Sequence, residues 1–146
     1  MEVKIKIVKE GARLPLFGNE YAAGADLCAC LDYKSITVLP GETKLIDTGL
    51  SMELPSGYVG LIYARSGLAC KQGLTLANGV GVIDSDYRGE FKVALYNTSK
   101  EIRTISNGDR IAQLIIMPYP AIEFVEVSEL SDTERGTGGF GSTGIK

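Results

Sequence analysis

The stretch Leu54-Pro55-Ser56-Gly57-Tyr58-Val59-Gly60-Leu61-Ile62-Tyr63 sets the character of the chain. Proline followed two positions later by glycine is turn chemistry, because proline presets φ and glycine accepts backbone angles that other residues avoid. The apolar and aromatic run behind the turn, bounded by Gly57 and Arg65, reads as a strand. The same grammar repeats outward in both directions. Val3 to Val8 alternates apolar and polar positions, and Phe91 to Tyr96 does so in part. Ile111 to Met117 is almost wholly apolar and is expected to be buried on both faces, and Ile122 to Val127 alternates again. Further turns fall at Leu39-Pro40-Gly41-Glu42 and Asn107-Gly108-Asp109. Turns recurring about every ten residues predict an all-β sandwich, barrel or jelly roll. A single segment reads as helix: Ser66 to Gln72, with Ser66 as the expected N-cap and Gly73 as the stop. Such a helix could aim free backbone N–H groups at an anion, or it could be a plain connecting turn.

Composition narrows the function. The chain has 146 residues and a mass of 15.6 kDa, the size of one domain. At that size roughly 70% of the unfolded surface is buried on folding, so neither disulfides nor a structural metal are required. A net charge of −3 and a pI near 5.0 argue against a nucleic-acid partner, while leaving room for a local cationic pocket. The chain has no histidine, which removes Ser-His-Asp and Cys-His mechanisms and every His-ligated metal site. No apolar run approaches the length of about 18 residues that a membrane span needs, so no membrane association is expected. Met1-Glu2-Val3-Lys4-Ile5-Lys6-Ile7 lacks the apolar core of a signal peptide. Cys28, Cys30 and Cys70 are odd in number and lack zinc spacing, and are expected to be reduced in a cytoplasmic protein.

Residues 135–146 form a separate compositional zone, with five glycines among twelve residues and no apolar periodicity. The expected division is a β domain over 1–134 and a flexible glycine-rich arm over 135–146. The arm contains Gly136-Thr137-Gly138-Gly139-Phe140-Gly141, a literal G-x-G-x-x-G. A dinucleotide site needs a strand before it, a helix after it and an acidic residue about 20 positions on, and only five residues follow Gly141. The phosphate-loop pattern fails too, since no lysine follows. A glycine-rich segment with Arg135, Ser142 and Thr143 can still wrap N–H groups and hydroxyls around phosphates, or it can be a plain tail.

Three other groups carry chemistry. Gly81-Val82-Ile83-Asp84-Ser85-Asp86-Tyr87-Arg88-Gly89-Glu90 reads as a strand, a tight turn and a return strand. On a strand, Asp84 and Asp86 would share a face. Turn aspartates are usually inert, but Asp84 follows a valine and an isoleucine, and a carboxylate at the edge of an apolar pocket can act as a general base. Ala64-Arg65-Ser66-Gly67 places a guanidinium and a hydroxyl together, suited to phosphate oxygens. Asp26 follows Gly24-Ala25, where the backbone can turn sharply. Singly, Arg65 could be a surface charge and Asp26 a turn former.

Together these segments closely resemble the trimeric dUTPases. Five motifs occur in that family's order: Ala23-Gly24-Ala25-Asp26-Leu27; Ala64 to Ala69; Asn78 with Gly81 to Glu90; Gly108 to Leu114; and Arg135 to Gly144. They span nearly the whole chain. Ala64 stands where family members more often carry glycine or proline, and no expected catalytic position is substituted.

The resemblance implies a jelly-roll subunit with one short helix and a homotrimer with three shared sites. Motifs one, two and four would come from one subunit, the third from a second and the arm from a third. The implied reaction converts dUTP and water to dUMP and pyrophosphate with Mg²⁺. Asp84 would be the general base for attack on the α-phosphorus. Asn78 and the backbone at Val82 and Ile83, on a β-hairpin, would read uracil. Tyr87 would lie under the deoxyribose, and Lys92 would face the same pocket. Arg65, Ser66, Gly67 and Gln113 would hold phosphates. Arg135 would clamp the γ-phosphate, Phe140 would stack on uracil, and Gly141 and Ser142 would complete the arm's contacts. Asp26 would reach the metal through water. Two rivals remain at this point. A dCTP deaminase shares the fold but carries an essential glutamate after its third motif, whereas a dUTP-sensing module would keep the pocket for a regulatory partner.

Overall fold

The computed structural model describes residues 1–139. Among these, twelve strands and one helix follow in chain order: β1 (Lys4–Ile7), β2 (Leu16–Phe17), β3 (Ala25–Cys28), β4 (Ser35–Val38), β5 (Thr43–Asp47), β6 (Leu50–Glu53), β7 (Tyr58–Ala64), α1 (Ser66–Gln72), β8 (Leu74–Leu76), β9 (Gly81–Ile83), β10 (Lys92–Asn97), β11 (Arg103–Ser106) and β12 (Arg110–Pro118). The largest sheet runs β2-β3-β12-β7-β9, a second runs β5-β10-β8, and the pairs β1-β6 and β4-β11 complete the set. Every pairing is antiparallel. No sheet closes into a barrel, and the layers pack as a β-sandwich.

The core lies between these sheets. Leu27, Ile62 and Leu114 from the five-stranded sheet meet Ile46, Val93 and Leu95 from the β5-β10-β8 sheet in one buried cluster. Phe91, just before β10, is fully buried. Each such side chain contributes about 1.5–3 kcal/mol by leaving water.

The predicted turns form as the glycines direct. Gly41, Gly57 and Gly108 all take positive φ, and each turn closes with a backbone hydrogen bond: Glu42 N to Leu39 O, Tyr58 N to Pro55 O and Asp109 N to Ser106 O. Helix α1 spans the predicted residues, with Arg65 rather than Ser66 at the N-cap and no side-chain capping bond. Gly73 ends the helix at φ 67° with its N–H on the Ala69 carbonyl. A methyl there would lie 2.9 Å from Ser99 Cβ, so both angle and space call for glycine.

Three expectations are corrected. Ile122 to Val127 is not a strand: no neighbouring strand takes it up among the described residues, and Phe124 is 92% exposed. The run from Ile111 to Met117 is buried only in its first half, because β12 leaves the centre of the sandwich towards Met117, which is exposed. The third motif is not a ladder-bonded hairpin. β9 is taken by β7, and β10 is taken by β5 and β8, so residues 84–91 cross from one sheet to another.

Candidate active site

The first group of candidate residues lies across the centre of the five-stranded sheet. Gln113 on β12 faces Asp26 on β3 and Tyr63 on β7 in register, so the three form one row. Arg65 follows the end of β7 and turns its guanidinium back onto that row. Asp26 is buried and accepts hydrogen bonds from Arg65 Nε at 2.8 Å and Arg110 Nη1 at 3.1 Å. Arg65 Nη1 also donates to the Arg110 carbonyl at 3.3 Å. One buried carboxylate thus holds two arginines. Ser66 and Gly67 lie exposed beside Arg65, with open space over Gly67. Arg110 escaped the sequence reading, although it stands inside the fourth motif as the residue before the apolar run.

The second group lies around the crossing from β9 to β10. β9 ends at Ile83, so Asp84 is the first residue off the strand, and Asp84 and Asp86 do not share a strand face. The turn closes with Tyr87 N on the Asp84 carbonyl at 3.2 Å. Val82, Ile83, Asp84, Tyr87, Glu90 and Lys92 line a depression of about 300 Å³. A narrower slot of about 90 Å³ continues from it between Gly81–Ile83 and Lys92–Ala94, with Asn78 at its rim. β9 is the last strand of its sheet, so its outer edge bonds to no other strand. β10 in turn pairs with β8 only from Leu95 onward. The facing edges of β9 and of Lys92–Ala94 are therefore not paired with each other, and the slot lies between them. The Asp84 carboxylate is exposed and forms no hydrogen bond or ion pair among the described residues.

A single chain does not bring these two groups together. Ile83 lies opposite Gly60, which puts Asp84 beside Val59 at the start of β7. Arg65 is six residues further along, and at about 3.3 Å per residue that is roughly 20 Å away. Arg135 is also separate: its Nε bonds the Gly138 carbonyl at 2.8 Å, within the arm's own turn. Phe140, Gly141 and Ser142 lie outside the described residues.

Comparison with known proteins decides the family. A family model described as dUTPase matches residues 10–144. The chain belongs to the dUTPase family. It is 51% identical over 144 residues to the deoxyuridine 5'-triphosphate nucleotidohydrolase of Nautilia profundicola, covering 99% of each protein. A variant of the dUTPase of Staphylococcus bacteriophage 80alpha, solved with dUpNHpp, aligns at a TM-score of 0.88 with 29% identity over 99% of each chain. A variant dUTPase from phage phi11 of S. aureus, described for its coordination of a structural Mg(II) ion, aligns at 0.77 with 27% identity over 88% of this chain and 98% of that one.

In this dUTPase a network of charges borders the depression beside Asp84. The Lys92 ammonium bonds Asp47 at 2.8 Å and approaches Glu90 at 3.4 Å. Lys9 bridges Asp47 at 3.2 Å and Asp32 at 3.0 Å. The hydrogen bond from Lys92 holds the Asp47 carboxyl below the usual carboxylate range, and the same bond raises Lys92. Register causes the contact, since Lys92 on β10 sits opposite Asp47 on β5. Two residues 45 apart carry no local sign of that pairing, and the sequence reading left Asp47, Glu90 and Lys9 out.

The metal that the family implies can be tested against these residues. Among the described residues no three His, Cys, Asp or Glu side chains converge into a cage. Both Asp26 oxygens already accept from arginine. A carboxylate oxygen has two acceptor positions, so each keeps one for a water. The donor set therefore fits a hydrated Mg²⁺ carried by phosphates and touched through water by Asp26, in keeping with magnesium's reluctance to shed its shell. All three cysteines are free thiols, and burial pushes Cys28 and Cys30 up. No described helix is long and apolar enough to cross a membrane.

Proposed function

We propose that this chain, a dUTP hydrolase of the dUTPase family, converts dUTP and water to dUMP and pyrophosphate in sites shared among three copies of itself. The observation that carries the reading is the gap between the free edge of β9 and the start of β10, opening beside the unpaired carboxylate of Asp84. A planar pyrimidine fits there as a missing strand would. Backbone donors and acceptors at Val82 and Ile83, with Asn78, match uracil, and cytosine reverses the pattern at position 4. The narrow slot leaves no room for thymine's 5-methyl. Exclusion matters because one methyl in a pocket is otherwise worth only about 1–3 kcal/mol.

Tyr87 packs beneath the deoxyribose, where a ribose 2′-hydroxyl would collide. Lys92, neutralised by Asp47 and Glu90, forms the pocket wall. Asp84 accepts a proton from a water as its oxygen bonds the α-phosphorus, and the bond from that phosphorus to the bridging oxygen breaks to release pyrophosphate. Arg65, Ser66, Gly67 and Gln113 hold the phosphate chain. When bound with the triphosphate, Mg²⁺ offsets the negative charge of the leaving group. Residues 135–146 act as a closing arm on a neighbouring copy's 1–134 domain, with Arg135 on the γ-phosphate and Phe140, Gly141 and Ser142 over the nucleotide. The roughly 20 Å between Asp84 and Arg65 within one chain supports the trimer, since a triphosphate site needs both.

Such an enzyme lowers the dUTP/dTTP ratio and supplies dUMP for dTMP synthesis in the cytoplasm, a setting that free thiols suit. The test is pyrophosphate release from dUTP with Mg²⁺, run beside dTTP, dCTP and UTP. Fast release from dUTP alone is expected. Tight dUTP binding without release would replace the enzyme with a dUTP sensor, and ammonia release from dCTP would replace it with a deaminase.

A further inference from the structure

Tyr87 is half-exposed, yet its ring has a defined seat. Its hydroxyl donates to the Glu90 carbonyl at 3.1 Å, and its ring centroid lies 6.1 Å from that of Phe91 at an interplanar angle of 37°. The backbone under the ring is pinned on its other side. Ser51 Oγ donates to the Arg88 carbonyl at 2.7 Å, Phe91 N donates to Leu50 O at 2.8 Å, and Gly49 N donates to the Glu90 carboxylate at 2.8 Å. The ring arches across Gly89. A methyl built on Gly89 would lie 2.5 Å from Tyr87 Cζ, 2.9 Å from Cε2 and closer still to the hydroxyl oxygen. Gly89 is not among the glycines with positive φ, so its backbone would accept alanine without strain. The empty space, not the angle, is what this glycine supplies. At Gly67 and Gly79, by contrast, an added methyl meets nothing within 4 Å.

We propose that Gly89 is a specificity-determining residue: by lacking a side chain it gives the Tyr87 ring the position from which it excludes a ribose 2′-hydroxyl. The inference rests on the sugar-gate reading of Tyr87 given above. Gly89 touches no substrate and acts through the ring. The colliding atoms belong to the far end of an exposed side chain, so an added methyl displaces the ring and leaves the pinned backbone where it is.

The experiment measures kcat/KM for dUTP and UTP in the full-length enzyme and in Gly89→Ala, Tyr87→Ala and the double variant. Gly89→Ala is expected to raise the UTP/dUTP ratio by about tenfold or more, with a melting temperature near that of the parent. The double variant is expected to match Tyr87→Ala alone, since a residue acting through the ring has nothing to act on once the ring is gone. A purely structural glycine would lower both substrates together and add to Tyr87→Ala. If the alanine variant does not fold, the double variant decides, because it removes the ring that the methyl meets: its folding assigns the collision to the ring, and its failure to fold overturns the role of Gly89. A relaxed ratio in Tyr87→Ala with an unchanged ratio in Gly89→Ala overturns the role of Gly89 alone. An unchanged ratio in Tyr87→Ala overturns the sugar gate and, with it, the role of Gly89.

Discussion

The Asp26 carboxylate holds the Arg65 guanidinium through Nε at 2.8 Å, from a strand position that is itself buried. Asp26 takes Nε and the Arg110 carbonyl takes Nη1 at 3.3 Å, which leaves Nη2 without a hydrogen bond among the described residues, and the second carboxylate oxygen holds Arg110 at 3.1 Å. A buried charge of this kind is tolerable only because both oxygens are paired. The two guanidinium groups are thereby set in place before any ligand arrives, which would reduce the ordering cost of the phosphate binding proposed for Arg65.

Removing that anchor has two readable consequences. Asp26→Ala leaves two arginines without their partner, and urea melts are expected to show a loss of about 2–3 kcal/mol. Asp26→Asn keeps the shape and loses the charge. It is expected to raise KM for dUTP more than it lowers kcat, and saturating Mg²⁺ is not expected to restore the loss. Full recovery with added Mg²⁺ would assign Asp26 to the ion and not to the arginines.

Asp84 stands at the end of β9 with no partner for its carboxylate among the described residues, which suits a group that must take a proton from water. Asp84→Asn removes the proposed base and is expected to keep the fold, because the turn is closed by backbone atoms. Turnover of dUTP is expected to fall by about 10²–10⁴-fold, with dUTP affinity by calorimetry close to the parent value. Retained turnover would assign the base to another residue.

Which parts were legible in the sequence follows from how local their causes are. Tyr58 to Ala64 could be read because a proline–glycine turn precedes it and an apolar run fills it. Helix α1 could be read because Gly73 stops it. Ile122 to Val127 has the same alternation but forms no strand, since alternation says which face would be buried and not whether a neighbour exists. The site divides in the same way. Asp26, Arg65 and Asp84 stand out as candidates from their own short segments, whereas Gln113 enters only through the family resemblance. Arg110 and Asp47 act through pairings between neighbouring strands of one sheet, and their partners lie 84 and 45 residues away. From sequence the crossing between β9 and β10 reads as a hairpin because tight turns usually join paired strands. Here β9 and β10 belong to different sheets, and their facing edges stay apart with the slot between them.

The Asp47–Lys92 pair gives a pH dependence of definite sign. The hydrogen bond from Lys92, helped by Lys9, holds the Asp47 carboxyl low in the folded state. Its stabilisation is therefore complete above the ordinary carboxylate value of about pH 4 and is lost as pH falls through the lowered folded value. The side chains are 29% and 45% exposed, so solvent screens the pair and its worth is only about 0.2–1 kcal/mol. Asp47→Asn is expected to be less stable than the parent by that amount at pH 7, with the gap narrowing towards pH 3 and in high salt. Urea melts at the two pH values check this, and a gap that widens on acidification would contradict the pairing.

The separation of Asp84 from Arg65 along β7 makes the strongest demand on the assembly. If each site takes Asp84 from one copy and Arg65 from another, then Asp84→Asn and Arg65→Ala each disable every site in a homogeneous trimer. In mixed trimers the outcome differs. A site that draws its arginine from an Asp84→Asn chain and its aspartate from an Arg65→Ala chain carries neither substitution. Co-expressing the two inactive variants under separate affinity tags, and purifying through both, is expected to recover a substantial share of parental turnover per trimer. If both residues served within one chain, no mixture would contain an intact site, and the doubly purified protein would stay as inactive as its parts. Mixing the two variants after separate purification supplies the control, because activity should then rise only as fast as subunits exchange.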